Sequence, residues 1–210
     1  MRIAAAQLNQ VVGDFRGNVE RIIAAAQEAV ARGVRVLLTP ELSLSGYPPE
    51  DLLLREAFHA GCESALAALC EGTAALDIHL LVGHPQLRDG RRYNCASVVH
   101  RGQVVGRYGK HDLPNYDVFD EERYFEPENR PLVFEVDGVR FGVLICEDFW
   151  YGYAPECAQA AGAQAILVLN ASPFHMDKQH VRIDVARENV SRLGLPMLAA
   201  NLVGGQDELV

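Results

Sequence analysis

Short apolar runs of β-forming residues alternate with stretches of helical periodicity, and that alternation leaves few ways to fold this chain. "RIAAAQL" opens as a strand. "NVERIIAAAQEAVARG" follows, with Val19, Ile22, Ile23, Ala26 and Val30 on one helical face and Gly33 as a stop. "VRVLLTPE" is an apolar strand running into a polar end, residues 49–71 read as a second helix, and "LDIHLLVG" is another strand. The order β-α-β-α-β points to a layered α/β fold. The middle of the chain changes character. Two β-rich runs flank Arg101-Gly102, and two more flank Asp137-Gly138, a strong hairpin signal because both turn positions need positive φ. Alternation then resumes with a short helix over 155–161, the strand "AILVLN", a helix over 177–193 and the strand "PMLAAN". The expected architecture is two partly antiparallel sheets with helices on their outer faces. The sequence stops at "NLVGGQDELV", just after a strand, so a C-terminal part of the domain is expected to be absent.

The 210 residues suffice for one large domain with its own core, and no repeat, low-complexity tract or linker divides them. One domain over 1–210 is expected. A formal net charge of -9 argues against nucleic acid or an anionic membrane as partner, since both need a basic footprint. The N-terminus lacks the long apolar stretch and cleavage site of a signal peptide, and no segment approaches the ~18 apolar residues of a membrane span. The five cysteines form no CxxC and the seven histidines no HExxH, so neither a disulfide framework nor a zinc site is suggested. A cytoplasmic, metal-free protein is the default expectation.

The chemistry is concentrated at strand ends. "VLLTPE" ends in Glu41, "VVGRYGK" in Lys110 and "VLIC" in Cys146. Strand mouths of α/β folds are where reactive groups are usually assembled. Singly, each residue has an ordinary explanation: a helix-capping carboxylate, a solvated loop charge, a core thiol. Together they form a cysteine-hydrolase set without histidine. Of the other thiols, Cys62 and Cys70 fall on a helix as packing residues and Cys95 begins a strand. Cys157 sits near the start of a short helix, where a thiolate could be favoured, but no partner is apparent. His175 and His180 flank the Ser172 loop and read as solvated. Tyr47, Tyr116, Phe119, Phe149 and Trp150 are candidates either for a pocket lining or for core.

"TPELSLSGYPPEDLL", "YGKHDLPNYDVFDEERYF" and "GVLICEDFW" resemble the three catalytic blocks of the nitrilase superfamily. In detail they resemble one branch, the glutaminase (glutamine amidotransferase) domain of glutamine-dependent NAD+ synthetase. The resemblance covers the whole chain in the expected order. "SGYPPEDLL" and "KHDLPNYDVFDEERYF" make it specific, because they extend well beyond the reactive residues. It implies an αββα sandwich and a Glu-Lys-Cys triad, carried by Glu41, Lys110 and Cys146. A second glutamate beside the lysine falls on Glu121, with Glu122 the poorer match by its spacing from Tyr124-Phe125. Contacts to the glutamine substrate fall on Tyr116, Glu147, Trp150, Ser172 and Lys178. A glycine common after "YFEP" is Glu128 here, which bears on the local loop.

The resemblance implies hydrolysis of glutamine through a cysteine thioester, with no cofactor for that step. It also implies a synthetase domain on the same polypeptide, using ATP, Mg and deamido-NAD+, and a homo-oligomer. That domain's SGGxDS-like phosphate loop does not occur in these residues. Another nitrilase-type amidase, or an inactive structural or regulatory domain, are the alternative readings.

Overall fold

Val36, Leu37 and Leu38 are consecutive and all buried, which a strand achieves only with protein on both its faces. In the computed structural model, which describes residues 1–206, these three residues form β2 (Val36–Leu38). Val36 and Leu38 join one core, and Leu37 joins another on the opposite face. The first sheet runs β1 (Ile3–Ala5), β2, β3 (His79–Arg88), β4 (Arg91–His100) and β5 (Gln103–Gly109), in that spatial order. Its first three strands are parallel and the remaining pairs antiparallel. The second sheet runs β6 (Val133–Val136), β7 (Val139–Ile145), β8 (Ala165–Asn170) and β9 (Met197–Asn201), antiparallel at β6–β7 and parallel beyond.

Helices α1 (Phe15–Ala31) and α2 (Glu56–Thr73) cover the first sheet, burying Ile22, Ala26, Ala65 and Leu69 against Leu37, Leu80 and Val82. Asp14 caps α1 by accepting the Gly17 N–H (2.9 Å), and Gly33, at φ 72°, ends it as the sequence pattern expects. Helices α3 (Tyr153–Ala160) and α4 (Lys178–Leu193) flank the second sheet. Between the sheets, Val36, Leu38, Leu81 and Val98 share a core with Val143, Ile145, Leu167 and Leu169. The layers are therefore αββα, as expected. Among the described residues no helix is long and apolar enough to cross a membrane.

Three local readings are corrected. The helix expected over 49–71 is broken: Glu50 takes a left-handed backbone (φ 44°), Glu50–Leu54 form a 3-10 turn, and Arg55 is extended before α2 starts. Cys95 lies inside β4 rather than at its start, because Asp89-Gly90 (φ 51° and 75°) close a hairpin between β3 and β4. Helix α3 starts at Tyr153, so Cys157 is in its interior rather than near its start.

The segment after β2 carries Glu41 across Gly83 of β3. A Cβ there would lie 2.4 Å from the Leu42 nitrogen and 2.7 Å from the Pro40 carbonyl oxygen. Both are backbone atoms that cannot swing aside. Gly83→Ala should therefore destabilise the protein by about 1–3 kcal/mol through overpacking. A urea denaturation midpoint within error of wild type would show that the contact is not tight.

Candidate active site

Lys110 follows β5 directly and its side chain has no exposed surface. A buried ammonium must replace lost water with acceptors. Its Nζ donates to Glu41 Oε1 (2.7 Å), Glu121 Oε2 (2.8 Å) and Glu121 Oε1 (2.9 Å). Burial acts to lower its pKa, but attraction to Glu121 and Glu41 outweighs it and holds the amine well above its ordinary value. Glu121 pays for the same arrangement: burial, followed by repulsion from Glu41, raises it to about 7 against the pull of Lys110. Tyr47 donates its hydroxyl to Glu121 Oε1 at 3.3 Å. Glu122, the weaker alternative, is exposed.

Glu41 is fully buried in the turn after β2. Its Oε1 also accepts from Asn94 Nδ2 (2.7 Å), and its Oε2 accepts the Ala171 backbone N–H (3.2 Å). Asn94 lies on β4, and its carbonyl accepts the Lys110 N–H (2.8 Å), so one residue braces both the base candidate and the lysine. Sequence reasoning did not single it out. The available signal was an asparagine within a buried strand, a placement that demands a polar partner.

Cys146 is 4% exposed and starts a 3-10 turn, Cys146–Phe149, immediately after β7. Its backbone is left-handed (φ 41°), an unfavourable conformation for a side chain with a Cβ and one that recurs where a reactive group is held at a sharp turn. Burial pushes its thiol well above the ordinary value. Glu41 adds to that, Lys110 opposes it, and Glu121 and Glu147 add further. The resting residue is thus a thiol with a base and an ammonium in its field. Burial also pushes Cys62 and Cys95 up to about 12, as fits packing residues.

Four of the five substrate-contact candidates pair off. Tyr116 donates its hydroxyl to Glu147 Oε1 (2.7 Å), with Glu147 buried beside the thiol and Tyr116 45% exposed. Lys178 Nζ sits 4.8 Å from the centroid of the Trp150 ring. Ser172 is buried, its N–H donating to Asn201 Oδ1 (3.0 Å) and its Oγ accepting from Arg182 (3.3 Å). Of the aromatics, Phe149 is core, whereas Phe119 packs edge-on against Tyr116. His175 and His180 are exposed. Glu128 does not adopt a left-handed backbone, and its N–H donates to the Lys110 carbonyl (3.0 Å), so the loop closes without the glycine.

Residues 2–210 match the model of the family described as Carbon-nitrogen hydrolase. The chain belongs to the carbon-nitrogen hydrolase family. It is 46% identical over 213 residues to a glutamine-dependent NAD(+) synthetase of Xylella fastidiosa strain Temecula1, covering 100% of this chain and 39% of that protein. The solved glutamine-dependent NAD+ synthetase of Acinetobacter baumannii, in complex with ADP, superposes with a TM-score of 0.94 at 41% identity, over 99% of this chain and 39% of that one. An amidase from Nesterenkonia sp. AN1 superposes with a TM-score of 0.91 at 27% identity, over 100% of this chain and 79% of that one. That structure, of a glutamate-to-glutamine variant, shows covalent addition of the acetamide moiety of fluoroacetamide at the active site cysteine. The chain spans 37–40% of the length of the curated synthetases it is compared with. The family and the sandwich architecture are as the sequence motifs led one to expect.

The raised thiol makes a direct prediction. The difference in thiolate absorbance between wild type and Cys146→Ser should stay near zero up to pH 9, the ordinary value being 9.0. A Cys146 thiolate that titrates below about pH 8 would mean a preformed nucleophile and contradict this reading.

Proposed function

We propose that this chain is the glutaminase unit, spanning 1–210, of a glutamine-dependent NAD+ synthetase, and that Glu41, Lys110 and Cys146 carry the reaction. The observation that supports it most is the buried Glu41–Lys110–Glu121 cluster in the field of a buried thiol whose pKa is raised above its ordinary value. Cys146 attacks the side-chain carboxamide carbon of glutamine while Glu41 takes the thiol proton. Lys110 and the backbone N–H of Glu147 hold the oxyanion. The C–N bond breaks, and Glu41 returns the proton to the departing ammonia, leaving a glutamyl thioester. Glu41 then takes a proton from water as its oxygen attacks the thioester. The C–S bond breaks, Glu41 returns its proton to the departing thiolate and glutamate leaves, so glutamine and water yield glutamate and ammonia. Glu147 with Tyr116 faces the ammonium of the free amino acid. Lys178, against Trp150, and Ser172 face its carboxylate.

This step uses no metal or cofactor. The ammonia is passed to a synthetase domain of the same polypeptide, where ATP, Mg and deamido-NAD+ are used, in a cytoplasmic homo-oligomer. Nucleic acid and membrane are not partners. A second reading, hydrolysis of simple aliphatic amides, is favoured by the likeness to the Nesterenkonia amidase.

Ammonia release from free glutamine, compared with release from propionamide, separates the two. Faster turnover of glutamine supports the glutaminase reading, and turnover of propionamide alone overturns it. Lys110→Arg keeps the charge but not the compact donor geometry. It should lose roughly 10²–10³-fold in kcat, as for removal of an oxyanion donor, with the circular dichroism spectrum retained. Activity within about threefold of wild type, or roughly 0.65 kcal/mol, would remove Lys110 from the mechanism.

A further inference from the structure

Asp148 has no exposed surface, lies two residues after Cys146, and takes no part in the proposed reaction. Its carboxylate is nonetheless fully engaged. Oδ2 accepts the Ile145 N–H (2.9 Å) and the Tyr108 hydroxyl (2.9 Å). Oδ1 accepts the N–H groups of His111 (3.0 Å) and Asp112 (2.8 Å). These donors belong to two separate strand ends on two different sheets. Ile145 ends β7 and precedes Cys146, whereas Tyr108 is on β5 and His111 and Asp112 follow Lys110.

We infer that Asp148 is a positioning residue whose carboxylate ties the Lys110 turn to the Cys146 turn, and so sets where the ammonium stands relative to the thiol. The inference uses the proposed glutaminase activity only as a reporter. Contact between the triad side chains does not by itself fix the two backbones, because Lys110 is a long, flexible stem. A left-handed Cys146 persists only when its surroundings over-determine it, and the bond from Ile145 N–H holds the residue just before it. Four donors converging on one side chain require an acceptor-only group, which an ionised carboxylate is and an amide is not. Burial raises Asp148 to about 6, with the Asp112 and Ile145 N–H groups pulling it down, so it is ionised at neutral pH.

Asp148→Asn keeps the size and leaves one acceptor oxygen. However the amide is rotated, its NH2 group faces a backbone N–H on one of the two turns, and that turn is released. The expected result is a fall in kcat for glutamine of roughly 10²-fold, the cost of a displacement of about 1 Å, with KM changed by less than about threefold. Alkylation of Cys146 by iodoacetamide, followed by peptide mapping, slows in parallel. A merely structural Asp148 lowers the thermal midpoint but leaves kcat and the alkylation rate of the folded protein at wild-type values, and that result overturns the inference. If Asp148→Asn does not fold, Tyr108→Phe decides, because it removes one donor and no charge. A loss of about three- to tenfold in kcat supports the clamp, and an unchanged kcat overturns it. If wild type leaves glutamine untouched, the glutaminase reading fails, and the alkylation rates of the same variants still decide the role of Asp148.

Discussion

An ammonium group cut off from water has to be solvated by the protein, and everything around Lys110 is arranged for that. Among the described residues, all the hydrogen bonds of its Nζ go to two carboxylates that are themselves almost fully buried. The arrangement is unforgiving. Removing one member of a buried ion cluster leaves an uncompensated charge and costs on the order of 3–5 kcal/mol. With two carboxylates to one ammonium, negative charge is in excess at the centre. Burial first, and then that excess, raises Glu121 to about 7 against the pull of Lys110, and the same two effects hold the neighbouring thiol well above its ordinary value. Under the proposed mechanism, a cysteine in such a place gives up its proton only as it attacks.

The fold supplies this centre from both sheets. Glu41 and Lys110 come from the first sheet, by way of β2 and β5, and Cys146 comes from β7 of the second. The site therefore depends on how the sheets face one another, which the shared core of Leu38, Leu81, Val98, Ile145 and Leu169 determines. Polar bonds then refine what apolar packing only approximates. Asn94 and the Ala171 N–H aim Glu41, and Asp148 joins the two turns that carry the lysine and the cysteine. Such close control matters because near-attack geometry is worth several kcal/mol of barrier.

What could be read from the sequence divides along physical lines. Strands buried on both faces announce themselves as unbroken apolar runs, so the αββα layering was legible. The Asp137-Gly138 hairpin was legible from its turn chemistry. The identical signal at Asp89-Gly90 was masked by Pro85 and the polar residues after it, which made β3 look finished at Gly83. The break at Arg55 left no trace, because Leu52, Leu53 and Leu54 continue an apolar pattern that suits either a helix or a 3-10 turn. At the site, reactive residue types at strand ends were visible one by one. Asn94 was not, since its partner Glu41 is 53 positions away and only the folded sheet brings them together. Asp148 stood in plain view after Cys146, but its role depends on donors from a different sheet.

The central claim is that the buried charge cluster turns Cys146 into a nucleophile toward glutamine, and it can be tested on the covalent intermediate itself. Acid quenching during glutamine turnover, followed by mass spectrometry of the peptides, should find a glutamyl group on the peptide carrying Cys146, and far less of it at the same quench time when Lys110 is replaced by Arg. Ammonia release with no acyl group on Cys146, or with the group on Cys62, Cys70, Cys95 or Cys157, would contradict the account.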